Sequence, residues 1–113
     1  MESVLTSIKK MLGIAADYTH FDSDIIIHIN SVLMTLNQLG VGPENPASIE
    51  NEMNTWEETL GSLANVNAVK TYIYLKVRML FDPPTSSFVL ESMNNMAKEL
   101  EWRLTAQIEI KEE

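Results

Sequence analysis

The stretch DPPTSS, which separates two apolar runs with helical spacing, constrains the fold more than any other feature of the chain. A proline disfavours the helical conformation in the residue before it, so Pro83 ends the first run at Asp82. Pro83 and Pro84 also fix their own φ angles, which makes the connection stiff. Ser86 or Ser87 can then cap the second run by accepting its free amide hydrogens. We therefore expect an antiparallel pair of helices that meet at a fixed angle.

Apolar residues recur every three or four positions along the rest of the chain, which predicts an all-α bundle of about five helices. A chain of 113 residues is expected to fold as one domain, residues 1–113. The tail QIEIKEE alternates Ile108 and Ile110 with charges, so a short extended C-terminal tail is expected. The predicted helices cover approximately residues 3–12, 20–39, 55–60, 66–81 and 87–107, with a linker rich in glycine and proline at 40–48.

Start and stop signals divide these helices. Thr55 and Glu58 have the spacing of a capping box, and Thr19 or Asp22 is expected to cap the second helix. Glycines at 13, 40 and 61 follow three of the helices. The predicted core residues are Val4, Leu5, Ile8, Met11 and Leu12 on the first helix; Ile25, Ile29, Val32, Leu33 and Leu36 on the second; Val66, Val69, Ile73, Val77 and Leu80 on the fourth; and Leu90, Met93, Ala97, Leu100 and Leu104 on the fifth.

Several classes of protein are excluded by composition. The chain has no cysteine, which excludes disulfide scaffolds, thiolate metal sites and thiol catalysis. Glu2, Lys9 and Lys10 do not fit a signal peptide. Residues 25–43 lack charge but contain too many polar side chains for a bilayer core. We expect a soluble protein that is intracellular where it is made, with no membrane association.

Charge is unevenly distributed along the chain, whose net charge is −8. Residues 21–65 contain acidic side chains and no lysine or arginine, whereas residues 66–84 are mainly basic. One interpretation is a solvated acidic face beside an ordinary basic helix. The other is that the acidic part of one copy meets the basic helix of another. Such an acidic chain is a poor candidate for wrapping duplex DNA.

A second set of large apolar residues lies away from the predicted core faces. A central fourth helix that is buried on two sides would explain part of this set in a monomer. Apolar side chains on the outer faces of three helices favour a contact between subunits instead. The predicted interface residues are Ile27, Met34, Tyr72, Leu75, Met79, Phe88 and Trp102, together with the basic and aromatic row Lys70, Tyr74 and Arg78.

Groups that could support chemistry are few. His20, Asp22, Asp24 and His28 form the one metal-like pattern, but the aspartates at a helix start are better explained by the helix dipole. Neighbouring glutamates at 57–58 and the pair at 99 and 101 point apart on a helix, so neither pair shares a proton. No glycine-rich phosphate loop or nucleophile motif is present. We expect neither an enzyme nor a bound cofactor or metal.

Three stretches occur in an order that resembles a known family: NQLGVG after an isoleucine-rich helix, then VKTYIYLKVRMLFDPPTSSFVLESM, then ELEWRL. They resemble the head–tail connector (adaptor) proteins of long-tailed bacteriophages and prophages, small helical proteins also described as DNA-packaging proteins. The likeness covers most of the chain. Many relatives carry Gln-Leu-Arg-Gly after the second helix, whereas this chain has Gln38-Leu39-Gly40 and lacks the arginine.

The resemblance implies a dodecameric ring of identical subunits at the head–tail junction of the virion. Its implied partners are the portal protein, a tail-side connector or stopper protein, and DNA that passes through the lumen without sequence-specific binding. A ring requires one face of the chain to complement a different face. The competing class is a generic helical interaction module, such as a regulatory dimer, and a small metal-dependent hydrolase comes third.

Overall fold

Five α-helices make up the fold in the computed structural model, which describes residues 2–45, 47–61 and 65–112, with side chains as far as residue 106. The prediction of an all-α bundle is confirmed. The helices are α1 (Val4–Leu12), α2 (Asp22–Gln38), α3 (Trp56–Leu60), α4 (Val66–Phe81) and α5 (Ser87–Glu112).

The central element is α4, which contacts α1, α2 and α5. Val69, Ile73 and Val77 are buried along its predicted core face. Tyr72 and Leu75, which lie on a different side of the helix, are buried as well. A helix that is covered from several directions needs apolar residues all round, which explains why the sequence of α4 is apolar on nearly every side.

Local signals set most helix boundaries as predicted. Ser3 caps α1 by accepting a hydrogen bond from the Thr6 amide at 3.2 Å, and Gly13 ends the helix in the left-handed region at φ 83°. Thr55 and Glu58 form the predicted capping box of α3: the Glu58 amide donates to Thr55 Oγ1 at 3.2 Å, and the Thr55 amide donates to Glu58 Oε1 at 2.9 Å.

The predicted cap of α2 is wrong. Phe21 holds the N-cap position and makes no side-chain hydrogen bond there, so neither Thr19 nor Asp22 is the cap. The Asp22 carboxylate instead pairs with the buried Lys9 ammonium at 2.8 Å. Because Asp22 is engaged in this ion pair, its side chain does not cap α2 as the sequence pattern predicted.

The connection between α4 and α5 has the conformation that the two prolines predict. Asp82 leaves the helical region at φ −144° and ψ 69°, immediately before Pro83. The Val89 amide then donates to Ser86 Oγ at 3.4 Å at the start of α5. Leu80, near the end of α4, lines the same groove as Leu90, near the start of α5. Tyr72, earlier on α4, bonds Glu101, which is later on α5. The two helices are therefore antiparallel.

Three expectations about particular positions are wrong. Leu80 is exposed because it lines an open groove rather than the core, and Met11 lies at the edge of the buried face of α1. The expected extended tail is helical, because α5 continues to Glu112 and the sequence after Pro84 contains no glycine or proline to stop it. The side chains of Ile108 and Ile110, on which that expectation depended, lie outside the described residues.

Of the helices in the described ranges, none is both long and apolar enough to cross a bilayer.

Candidate interaction surfaces

The predicted apolar interface residues divide into two groups. Tyr72 and Leu75 are only 0% and 4% exposed, so the prediction that they form a spare stripe facing a neighbouring subunit is wrong. They belong to the core because α1, α2 and α5 together surround α4. Met79 is half-buried and packs against this core. The alternative interpretation is correct for α4, which is a central helix buried on two sides.

The other group is exposed on the outer faces of α2 and α5. Phe88 and Trp102 are 77% and 70% exposed, and they lie on the side of α5 opposite the buried Ala97 and Leu104. Fourteen residues of helix place these two aromatics about 21 Å apart along one line. Ile27 and Met34 are exposed on the side of α2 that faces away from the core row Ile29 and Leu36. Large exposed apolar residues on two helices are typical of a surface that another protein covers.

Lys70 is held within the subunit by Glu2 and Trp56. Its ammonium bonds Glu2 Oε1 at 3.0 Å and lies 5.2 Å from the centroid of the Trp56 ring. The hydrogen bond from Lys70 is the main cause that lowers the pKa of the Glu2 carboxyl. Because Glu2 is 61% exposed and Lys70 is 25% exposed, water screens this pair, and it contributes little to folding stability.

Arg78 and Tyr74 are also engaged inside the subunit. Arg78 Nη1 donates to the Tyr74 hydroxyl at 3.3 Å, and Arg78 Nε donates to the Asp82 carbonyl at 2.6 Å. The predicted basic row of Lys70, Tyr74 and Arg78 therefore directs much of its hydrogen-bonding capacity inward. Whether these three residues also contact another subunit stays a prediction.

An open groove runs between α2, α4 and α5, with a volume of about 440 Å³. Both apolar and polar residues line the groove, and Lys76 is one of the polar residues. Lys76 is half-buried and has no ion-pair or hydrogen-bond partner among the described residues. The groove, called here the Lys76 groove, is lined by Ser31, Val32, Thr35, Lys76, Met79, Leu80, Leu90 and Asn94.

A buried cation organises the loop between α1 and α2, and the sequence analysis did not identify it. Lys9 is 2% exposed. Its ammonium donates to the carbonyls of Ala16 at 3.1 Å and Tyr18 at 2.7 Å, and it pairs with Asp22 at 2.8 Å. The available signal was its position one turn after Leu5, on the flank of the apolar face of α1. This group holds the loop and is not exposed for binding.

Tyr72 makes the polar contact between α4 and α5. Its hydroxyl donates to Glu101 Oε2 at 2.7 Å, and its ring is fully buried. Burial, together with the bond to the nearby carboxylate, raises the pKa of Tyr72 well above the ordinary value of 10.0. The carboxylates at 99 and 101 point apart as predicted, since Glu99 bonds Arg103 at 2.8 Å instead.

Replacing Tyr72 with phenylalanine should remove much of the alkaline sensitivity of the fold. Because the pKa is higher in the folded chain than the unfolded value of 10.0, the contribution of the neutral phenol is present below that value and is lost as the pH rises through the folded pKa. At neutral pH the substitution should cost about 1 kcal/mol, since Glu101 is partly accessible and regains water. Urea unfolding between about pH 7 and 11 tests this, and parallel pH profiles for both proteins would contradict it.

The metal-like pattern near the start of α2 does not form a cluster. Rings of His20 and His28 pack against Phe21 and Phe81, with centroids 4.7 and 6.3 Å apart respectively. Asp22 is paired with Lys9. Among the residues that the structure describes, no group of three or more histidine, aspartate or glutamate side chains could hold a metal ion.

Comparison with known proteins gives one family. A family described as phage connector protein matches residues 4–111, which is nearly the whole chain. Searches of curated proteins and of solved structures gave no match.

Proposed function

The chain belongs to the phage connector protein family, and from this premise we propose that it forms a ring of identical subunits at the portal vertex. In this role the ring joins the phage head to the tail and extends the channel through which the genome passes. Its partners are the portal protein on one side and a tail-side connector or stopper protein on the other. The family match is the evidence for a structural connector role. The exposed residues on the surface of the subunit are the evidence that supports a ring.

The exposed aromatics of α5 supply the main support for repeated contacts. Phe88 and Trp102 lie on the side of α5 directed away from its own core, so packing within the subunit does not account for them. Aromatic residues are the commonest contributors to binding energy at protein interfaces. A ring built from heterologous contacts buries such residues against a different face of the next copy.

The acidic character of the chain supports passage of DNA through the ring. A net charge of −8 in each subunit gives DNA phosphates little to bind. In addition, Lys70 and Arg78 are engaged by Glu2 and Asp82 within the subunit. Fewer free cations on the wall of a lumen would let the genome move with less adhesion.

Electron microscopy of the purified protein, with and without a phage portal protein, tests this function. We expect rings of uniform diameter that dock on the portal, and density for the chain at the head–tail junction of virions. The proposal fails if the chain forms no rings in either sample and is missing from that junction.

Replacing both Phe88 and Trp102 with serine should weaken assembly at least tenfold and leave the monomer folded. Exposed aromatics contribute little to folding, but each is worth about 1–2 kcal/mol or more when buried at an interface. Sedimentation and circular dichroism measure the two effects. Met11→Ser, at an exposed apolar residue on α1, is the matched control and should assemble normally. Unchanged assembly of the double variant would exclude these residues from the interface.

A further inference from the structure

The Lys76 groove combines an apolar floor with one unpaired cation, and the chain leaves both uncovered. Val32 and Leu90 line the groove from α2 and α5, and the exposed Leu80 lines it from α4. Lys76 lines this groove, and its ammonium has no ion-pair partner among the described residues. An occupant that matches it would carry an apolar side chain flanked by negative charge.

The same chain presents a segment with this chemistry in the turn at residues 50–54, called here the Met53 turn. Met53 is 75% exposed at its tip. Glu50 and Glu52 precede it in the turn, are exposed, and have no described partner for their carboxylates. A methionine side chain is flexible and fills irregular apolar spaces well.

The Met53 turn is held in a fixed shape by its own asparagines. Asn54 Oδ1 accepts hydrogen bonds from the amides of Glu50 at 2.8 Å and Asn51 at 3.2 Å, while Asn51 Oδ1 accepts from the Met53 amide at 2.8 Å. Just before the turn, the Ile49 amide and carbonyl bond the side chain of Asn30. A turn that is already ordered loses little conformational entropy when it binds.

The turn and the groove are different surfaces of the subunit, because none of residues 50–54 lines the groove. The chain leaves the turn at Trp56, whose ring contacts Lys70 in the N-terminal half of α4. The groove begins at Lys76, about 9 Å further along the helix axis, and extends toward Leu80. A contact between the two surfaces, repeated from one copy to the next, is heterologous, and heterologous contacts can close into rings.

We propose that the Met53 turn of one copy occupies the Lys76 groove of the next, with Met53 on the apolar floor and Glu50 and Glu52 facing Lys76. This inference rests on the ring proposed above and names the surfaces that meet in it. Trp102 is also exposed beside charged residues but fits less well, because Glu101 already bonds Tyr72 and Glu99 is paired with Arg103. An attractive contact is also required because copies of so acidic a chain repel one another.

Cysteine cross-linking tests which surfaces meet, because the natural chain has no cysteine. Asn94→Cys places a thiol at the groove, and Glu52→Cys places one on the turn while leaving Met53 intact. Under mild oxidation the double variant should give a reducible ladder of multimers, because each copy then links to two neighbours. Each single variant alone should give no species beyond a dimer. A double variant that gives no more than the single variants, under conditions where the natural chain assembles, overturns the inference.

Charge reversal gives an independent measurement. Lys76→Glu should weaken association at least tenfold, and adding Glu50→Lys and Glu52→Lys to the same chain should restore most of it. Lys98→Glu is the matched control, since it makes the same charge change at an exposed site on α5 outside the groove. Circular dichroism confirms that each variant is folded.

The two proposals fail in different ways. If the natural chain does not assemble, either alone or with the portal protein, the proposed ring is wrong. If the natural chain assembles and Lys76→Glu behaves like Lys98→Glu, the ring stands and the assignment of its contact surfaces is wrong.

Discussion

Replacing Lys9 with methionine should destabilise the fold by about 3–5 kcal/mol, the cost of removing one partner from a buried ion pair. Methionine keeps most of the aliphatic stem but cannot donate hydrogen bonds. The carbonyls of Ala16 and Tyr18 and the carboxylate of Asp22 would then lose their shared donor. The loop between α1 and α2 would lose the group that holds both of its ends.

A double-mutant cycle makes this test specific. Asp22→Asn in the Lys9→Met background removes the unpaired charge, so the double variant should be less destabilised than the sum of the two single variants. Lys10→Met, at the exposed neighbouring lysine, should change the free energy of unfolding by less than about 0.5 kcal/mol. Urea unfolding measures the natural chain and all four variants. Equal effects at Lys9 and Lys10 would show that the buried cation has no structural role.

Lys9 also illustrates what the sequence could not reveal. Periodicity assigns a helix face from the average character of its positions, and a lysine on the flank of an apolar stripe is usually expected to reach water. Here the loop that follows α1 folds back over the side chain, and its carbonyls lie beyond the range of any local pattern. The same fold-back removed Asp22 from the capping role that its position predicted.

Features that depend on neighbouring residues were predicted well. The capping box of α3, the stop at Gly13 and the end of α4 before Pro83 each follow from the conformational preferences of a few adjacent residues. The C-terminal tail was mispredicted because alternation over a few residues is a weak signal. A helix without a glycine or proline to stop it continued through that segment instead.

The interaction surface was predicted only in part, for a reason that concerns α4. Apolar residues on a second side of a helix need a cover, and the sequence does not say whether the same chain or another copy provides it. For Tyr72 and Leu75 the same chain provides it. For Ile27, Met34, Phe88 and Trp102, on the outer faces of α2 and α5, the part of the chain that the structure describes offers no such cover. Their role at an interface remains a prediction.

Replacing Leu75 with glutamate should therefore unfold the chain rather than dissociate its oligomer. Leu75 is only 4% exposed on a helix that α1, α2 and α5 surround. The substitution removes packing worth about 2–5 kcal/mol, and it buries a carboxylate for which the core offers no partner. Together these costs approach the total stability of a small domain, about 5–15 kcal/mol. Circular dichroism should show a large loss of helix at room temperature.

Trp102→Glu is the comparison that separates core from surface. It introduces the same charge at a residue that is 70% exposed on α5, so the monomer should keep its helix content and melting temperature. Its assembly should be lost, because the carboxylate would be buried without a partner when a second copy covers that face. A Leu75→Glu protein that stays helical but no longer associates would show that α4 is not the centre of the core. The contrast between the two variants thus tests the burial of α4 and the exposure of α5 in one experiment.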